Sequence, residues 1–277
     1  MGKRKSLNFQ IHEKMESMKG FGESKHAAKL QNGGQSDKIH SYNTYKGYKQ
    51  TMIEFCNYLK AEGRKYKTMN EIPRSEFSDY LRRREGLDLS AWTISKDMAA
   101  FNKVFGLGLT KKEVGLKERR YKDIKRSRRP VKHDKEINLK NYADAVIISK
   151  STGMRRQSVE KITYNDFVFR RGLPYYVHLT EKGGRPRLAV VLPEYRKALA
   201  DVLERSGRSG PIVDKYPHRI DNHAYRGEYA RKLYAYFISK KKDVKEDYKG
   251  YDKKAVLCVS RSLGHNRPGV VFYNYFR

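Results

Sequence analysis

From Ser41 the apolar and aromatic residues return every three or four positions, at Tyr42, Tyr45, Tyr48, Met52, Phe55 and Leu59. That is the period of one face of an amphipathic α-helix, and Ser41 is placed to cap it. A second, short helix is predicted after Pro73, with Phe77, Tyr80 and Leu81 inward and an end near Gly86. A third opens after Ser90, carries Trp92, Ile94, Met98, Phe101 and Phe105, and stops at Gly106. Residues 41–120 therefore read as a small all-helical unit. Ahead of it, residues 1–40 are rich in Lys, Gly, Ser and Gln, with one apolar stretch around Leu7, Phe9 and Ile11. They read as a basic arm with one loose helix.

A different pattern begins after Asn138. Leu139, Tyr142, Ala143, Val146 and Ile147 predict a helix running into Ser151, Thr152 and Gly153, with another following through Val159 and Ile162. Alternating stretches come next, at Phe167 and Phe169, Tyr175–Leu179 and Leu188–Leu192. The last two flank Lys182, Gly183, Gly184 and Arg185, whose paired glycines suit a tight turn with positive φ, so a β-hairpin is predicted. Pro193 opens a helix through Leu199 and Leu203, a longer one covers about 220–240, and two more cover about 255–263 and 267–275. The second unit thus spans residues 136–277, is mainly helical and holds a small sheet. Between the units, residues 111–135 carry twelve Lys or Arg against four acids, with Pro130 among them. A plain tether needs no such charge, so the basic linker at 121–135 and the residues before it are expected to lie along phosphates.

Composition sharpens the picture. The 277 residues hold 61 Lys and Arg against 31 Asp and Glu, a net charge of +30 that a compact chain tolerates when its partner is a polyanion. No apolar run reaches the length of a membrane span, and the basic start runs into Ser6, Asn8 and Gln10 where a signal peptide needs an apolar stretch. A cytoplasmic, nucleoid-associated protein is expected, with double-stranded DNA as partner and no membrane. Cys56 and Cys258 are too few for a disulfide framework and lie on apolar helix faces, where they read as core residues.

The polar residues narrow the chemistry. Acidic residues are scattered among Lys and Arg, unlike the gathered carboxylates of a two-metal nuclease, and no GxxxxGK[ST] loop is present. What accumulates in the second unit is Arg, His, Lys and Tyr, side chains able to attack a phosphodiester without a metal if cations neutralise the growing charge. Four pieces fit: Thr152-Gly153-Met154-Arg155-Arg156 at a helix junction, Lys182 at the hairpin tip, His223 and Arg226 one helical turn apart, and Leu263-Gly264-His265 followed ten residues later by Tyr275.

In this order the pieces resemble the tyrosine recombinase, or phage-type integrase, family. TGMRR resembles its first arginine box, the Lys-Gly-Gly turn its lysine hairpin, HAYR its HxxR box and LGHNR its third box. The resemblance covers residues 136–277 and extends more weakly to the arm and helical unit. It implies a helical core-binding, SAM-like domain followed by a mixed α/β catalytic domain. The implied function is a site-specific recombinase that cleaves and rejoins DNA without metal, ATP or cofactor, integrating or excising a mobile element. Tyr275 is implied as nucleophile, Arg155 and Arg226 as clamps on the phosphate, Lys182 and His223 as acid and base, and His265 as a further phosphate donor. A homotetramer on paired sites is implied, with accessory DNA-bending or directionality factors. Lys111, Lys112, Arg119, Arg120, Lys125, Arg126, Arg128, Arg129, Arg156, Arg185 and Arg187 are expected phosphate contacts. Three features depart from the pattern: Ser158 stands where many members carry glutamate, Tyr273 lies two residues before Tyr275, and only two residues follow Tyr275, leaving no tail for exchange between protomers. A type IB topoisomerase-like enzyme or resolvase with the same chemistry, and a basic DNA-binding protein without catalysis, remain open alternatives.

Overall fold

The computed structural model describes residues 5–120, 136–180, 186–207 and 209–276. The chain divides near residue 125 into two compact units.

In the first unit, Ser6 and Ser24 cap α1 (Leu7–Ser17) and α2 (Lys25–Gln31), each hydroxyl accepting from a backbone N–H of the first turn. Helices α3 (Tyr42–Ala61), α4 (Arg74–Gly86) and α5 (Ala91–Phe105) follow the predicted periodicity. Ser41 occupies the N-cap of α3 but makes no side-chain capping bond, whereas the Ser90 hydroxyl caps α5 and Gly106 ends it at φ +69°. At the centre Phe55 lies 4.8 Å from Phe77 and 4.9 Å from Phe101, ring centre to ring centre.

The segment expected to be an arm belongs to this core. Ile11, Met15, Met18 and Ile39 are buried with the α3–α5 residues, and the chain on either side of α2 is joined by backbone bonds between Met18 or Gly20 and Ile39. A few apolar residues in a polar stretch suffice because a ready-made apolar face receives them. The start of the basic stretch is also folded: Thr110 and Glu113 form a reciprocal cap on α6 (Lys111–Val114), and Val114 and Leu116 are buried. Residues 121–135 lie outside the described residues.

The second unit begins with a 3-10 turn leading into α7 (Ala143–Thr152), which Gly153 terminates in the left-handed region at φ +58°. After the single turn α8 (Arg156–Val159) comes an antiparallel sheet in the order β1 (Phe167–Arg170), β2 (Leu173–Thr180), β3 (Pro186–Val190). Val177 pairs with Ala189, both fully buried, which sets the register of the predicted hairpin. Its tip, residues 181–185, is outside the described residues. Then come α9 (Arg196–Arg205), α10 (Asn222–Ser239), α11 (Lys253–Ser262), α12 (Pro268–Val271) and a π-helical turn over Phe272–Phe276. One apolar cluster joins α7, α9 and the sheet; a second joins α10, α11 and the terminal turn. Cys56 packs against the first unit's core, and burial pushes its thiol up to about 11. Cys258 does not follow expectation: α11 turns Ala255, Val256 and Val259 inward, which leaves Cys258 exposed. Among the described residues no helix is long and apolar enough to cross a membrane.

Candidate active site

Three separated segments of the second unit meet at Arg226. The N-terminus of α10 is fixed by Asp221, whose carboxylate accepts from the Ala224 N–H at 3.0 Å. One turn in, Arg226 points inward and is 1% exposed. Its Nη1 donates to the Gly153 carbonyl, its Nη2 to the Leu263 carbonyl, and its Nε to the Tyr275 hydroxyl at 3.0 Å. Among the described residues the oxygens it meets are neutral, so they hold the guanidinium without neutralising it. A buried cation in that condition is costly unless an anion joins it.

Each segment is bent to reach this point. Gly153 must be glycine for two reasons: its φ is positive, and a Cβ there would stand 2.2 Å from the Tyr229 ring. Asn222 donates to the Met154 carbonyl at 3.2 Å, fastening the same bend to the start of α10. After α11, Gly264 turns the chain at φ +73°, and Ser260 holds the loop by donating to the His265 and Arg267 carbonyls. The His265 and Tyr275 rings then lie 6.4 Å apart, centre to centre. Tyr275 is 8% exposed, and its carbonyl accepts from Arg231 Nη1 at 3.1 Å.

The remaining candidates are placed less directly. Arg155 is the N-cap residue of α8, two positions after Gly153, and is half-buried. His223 is exposed on the first turn of α10. Lys182 and Arg185 fall outside the described residues, but the hairpin they belong to is tied to the site. The Tyr229 hydroxyl donates to the Val190 carbonyl at 2.7 Å and lies 2.7 Å from Ser262 Oγ, which in turn accepts from the Val190 N–H at 3.0 Å. Burial pushes the Tyr229 phenol up to about 12, so it stays protonated as a structural donor. Sequence reasoning missed Tyr229, Ser262 and Asn222. Only the i, i+3 spacing of Tyr229 from Arg226 marks it among 21 tyrosines.

Two expected phosphate contacts also make hydrogen bonds within the unit. Arg156 bonds the His218 ring and carbonyl at 2.7 Å and the Ile220 carbonyl at 3.1 Å, while Arg187 donates to the Ser262 carbonyl. Lys112, Arg119 and Arg120 are exposed and Lys111 is half-buried; Lys125, Arg126, Arg128 and Arg129 lie outside the described residues. Among the described residues no group of three or more His, Cys, Asp or Glu is placed to hold a metal ion.

Residues 32–109 match the family "Phage integrase, N-terminal SAM-like domain". The chain is also similar to two solved structures of the XerH site-specific recombinase. In a post-cleavage complex with palindromic difH substrate, the TM-score is 0.59 at 13% identity, covering 98% of this chain and 91% of that one. In a pre-cleavage complex with difH substrate it is 0.56 at 13% identity, with the same coverage. The chain has the tyrosine recombinase fold. No curated protein matches its sequence. With that tyrosine recombinase fold in hand, the convergence on Arg226 joins three of the four sequence boxes read from the second unit.

Proposed function

We propose that this chain cleaves and rejoins duplex DNA through a 3'-phosphotyrosine link, as a site-specific recombinase or integrase of a mobile element. The observation that carries the reading is the Arg226 guanidinium, buried, not neutralised by any of the described residues it bonds, and bonded to a phenol 3.0 Å away. A phosphate is the anion such a cation suits, and the phenol is the nucleophile beside it. The XerH complexes with difH substrate support DNA as the polyanion that +30 calls for.

In the proposed reaction Tyr275 Oη attacks phosphorus and the bond from phosphorus to the 5'-oxygen breaks. The phenol proton passes to His223, and Lys182 gives a proton to the departing 5'-oxygen. Arg155 and Arg226 carry the charge that grows on the nonbridging oxygens, with His265 as a further donor. One such donor is worth about 3–4 kcal/mol of barrier. One ester replaces another, so a second 5'-hydroxyl reverses the step without ATP or metal. Exchange between two duplexes calls for four protomers on paired sites. Because Tyr275 and Arg226 are 8% and 1% exposed, the terminal turn has to swing outward before a phosphate fits.

The test uses a pool of short nicked duplexes of random sequence and a denaturing gel. The wild type is expected to give a covalent protein–DNA adduct that survives EDTA, and Tyr275→Phe to give none. Full DNA binding with no adduct from the wild type refutes the reading in favour of a basic binding protein. Relaxation of supercoils without partner sites points instead to a topoisomerase.

A further inference from the structure

Tyr273 and Tyr275 are two residues apart on the terminal turn, and Tyr275 has its hydroxyl at Arg226. On a helical turn, residues two apart point to nearly opposite sides, so about half a revolution of the turn exchanges the two phenols. A π-helical turn is a rare conformation that recurs at functional sites, and something must set its rotation.

Arg226 and Arg231 of α10 hold it at Tyr275, and further contacts come from the loop between α10 and α11. Tyr248 and Tyr251 exchange backbone hydrogen bonds of 2.9 and 3.0 Å around Lys249 and Gly250, whose φ values are +54° and +78°. A two-residue turn with both central residues left-handed favours Asn-Gly, so a lysine there is strained. The strain accompanies a contact: Lys249 Nζ donates to the Tyr273 hydroxyl, 3.9 Å from the centre of that ring and 4.7 Å from that of Phe272. The loop is itself anchored. The Asp252 carboxylate accepts from Lys241 Nζ and from the Lys245 N–H, and the Asp252 N–H donates to the Tyr234 hydroxyl at 2.9 Å. Tyr251 stacks on Phe276 at 4.9 Å.

We propose that Lys249 is a positioning residue: held in its strained turn, it grips Tyr273 and so sets the rotation of the terminal turn that presents Tyr275 to Arg226. The functional consequence rests on the phosphotyrosine reading above; the grip on the terminal turn does not.

The experiment compares the full-length wild type with Lys249→Met, Lys249→Gly and Lys249→Arg. Lys249→Gly relieves the left-handed strain, so its melting temperature should hold or rise although the ammonium is gone. Both Met and Gly variants should show faster amide exchange at residues 272–276. With the nicked random-sequence pool they should form adduct about tenfold more slowly at unchanged DNA affinity, with part of the adduct mapping to Tyr273 by peptide mass spectrometry. Lys249→Arg should retain the wild-type behaviour. Unchanged exchange at 272–276 in both variants overturns the proposal, as does loss of DNA affinity in step with the adduct, the mark of a plain phosphate contact. If the wild type forms no adduct while the variants still loosen the terminal turn, the phosphotyrosine reading fails and the grip of Lys249 stands.

Discussion

The centres of the two units are filled in opposite ways. In the first, fully buried Phe55 is surrounded by Phe77, Phe101 and Tyr80. Both carboxylates that unit buries are paired with cations: Asp97 accepts from Thr51 at 2.7 Å and pairs with Arg84 at 3.2 Å and Lys96 at 3.1 Å, and Glu76 pairs with Arg64 at 3.3 Å. In the second, the side chain at the meeting point is a guanidinium facing a phenol and two carbonyls. Hydrocarbon in that volume would cost less free energy. The first centre is explained by cohesion alone, and at the second the proposed phosphate supplies the anion that cohesion does not.

Substitutions at the two centres should therefore separate stability from chemistry. Arg226→Met is expected to slow adduct formation by about 10²–10³-fold or more, measured on the nicked duplexes; a rate within threefold of wild type breaks the contrast. Phe55→Ala should lower the unfolding free energy of the first unit by about 3–5 kcal/mol, read from denaturant melts, with the second unit's transition unmoved. Gly153→Ala places a methyl against the Tyr229 ring at a positive φ. It should cost the second unit about 1–3 kcal/mol and slow the adduct as well, since the Gly153 carbonyl holds Arg226.

The smallest effect concerns pH. The Lys241 ammonium beside Asp252, together with backbone donors, holds that carboxyl well below the usual carboxylate range. A lowered folded value stabilises fully above the unfolded value of about 3.9 and is lost as pH falls through the folded one. The gap in melting temperature between wild type and Asp252→Asn should stay constant from neutral pH to about pH 4 and close below it.

The second unit was legible because its candidate residues sit in short runs whose glycines and helical spacing imply the bends found around Arg226. The bonds that Arg156 and Arg187 make inside the unit were not legible, because charge in a sequence does not say whether a guanidinium also caps a carbonyl. Ile11, Met15 and Ile39 were hidden for a related reason: their composition is that of a tail, and their burial is decided by the face of α3–α5 that receives them. Nothing local to Lys249 announces its role, because its partner lies 24 positions away.

Under the proposed function, a chain carrying +30 would adhere to DNA wherever it meets it, and nearly all of those encounters would be with the wrong sequence. Under the proposed chemistry each is an occasion for a misplaced break. In that reading, Tyr275, kept 8% exposed beneath a cation, would be spared most of them, so concealment would share with sequence readout the task of guarding the genome.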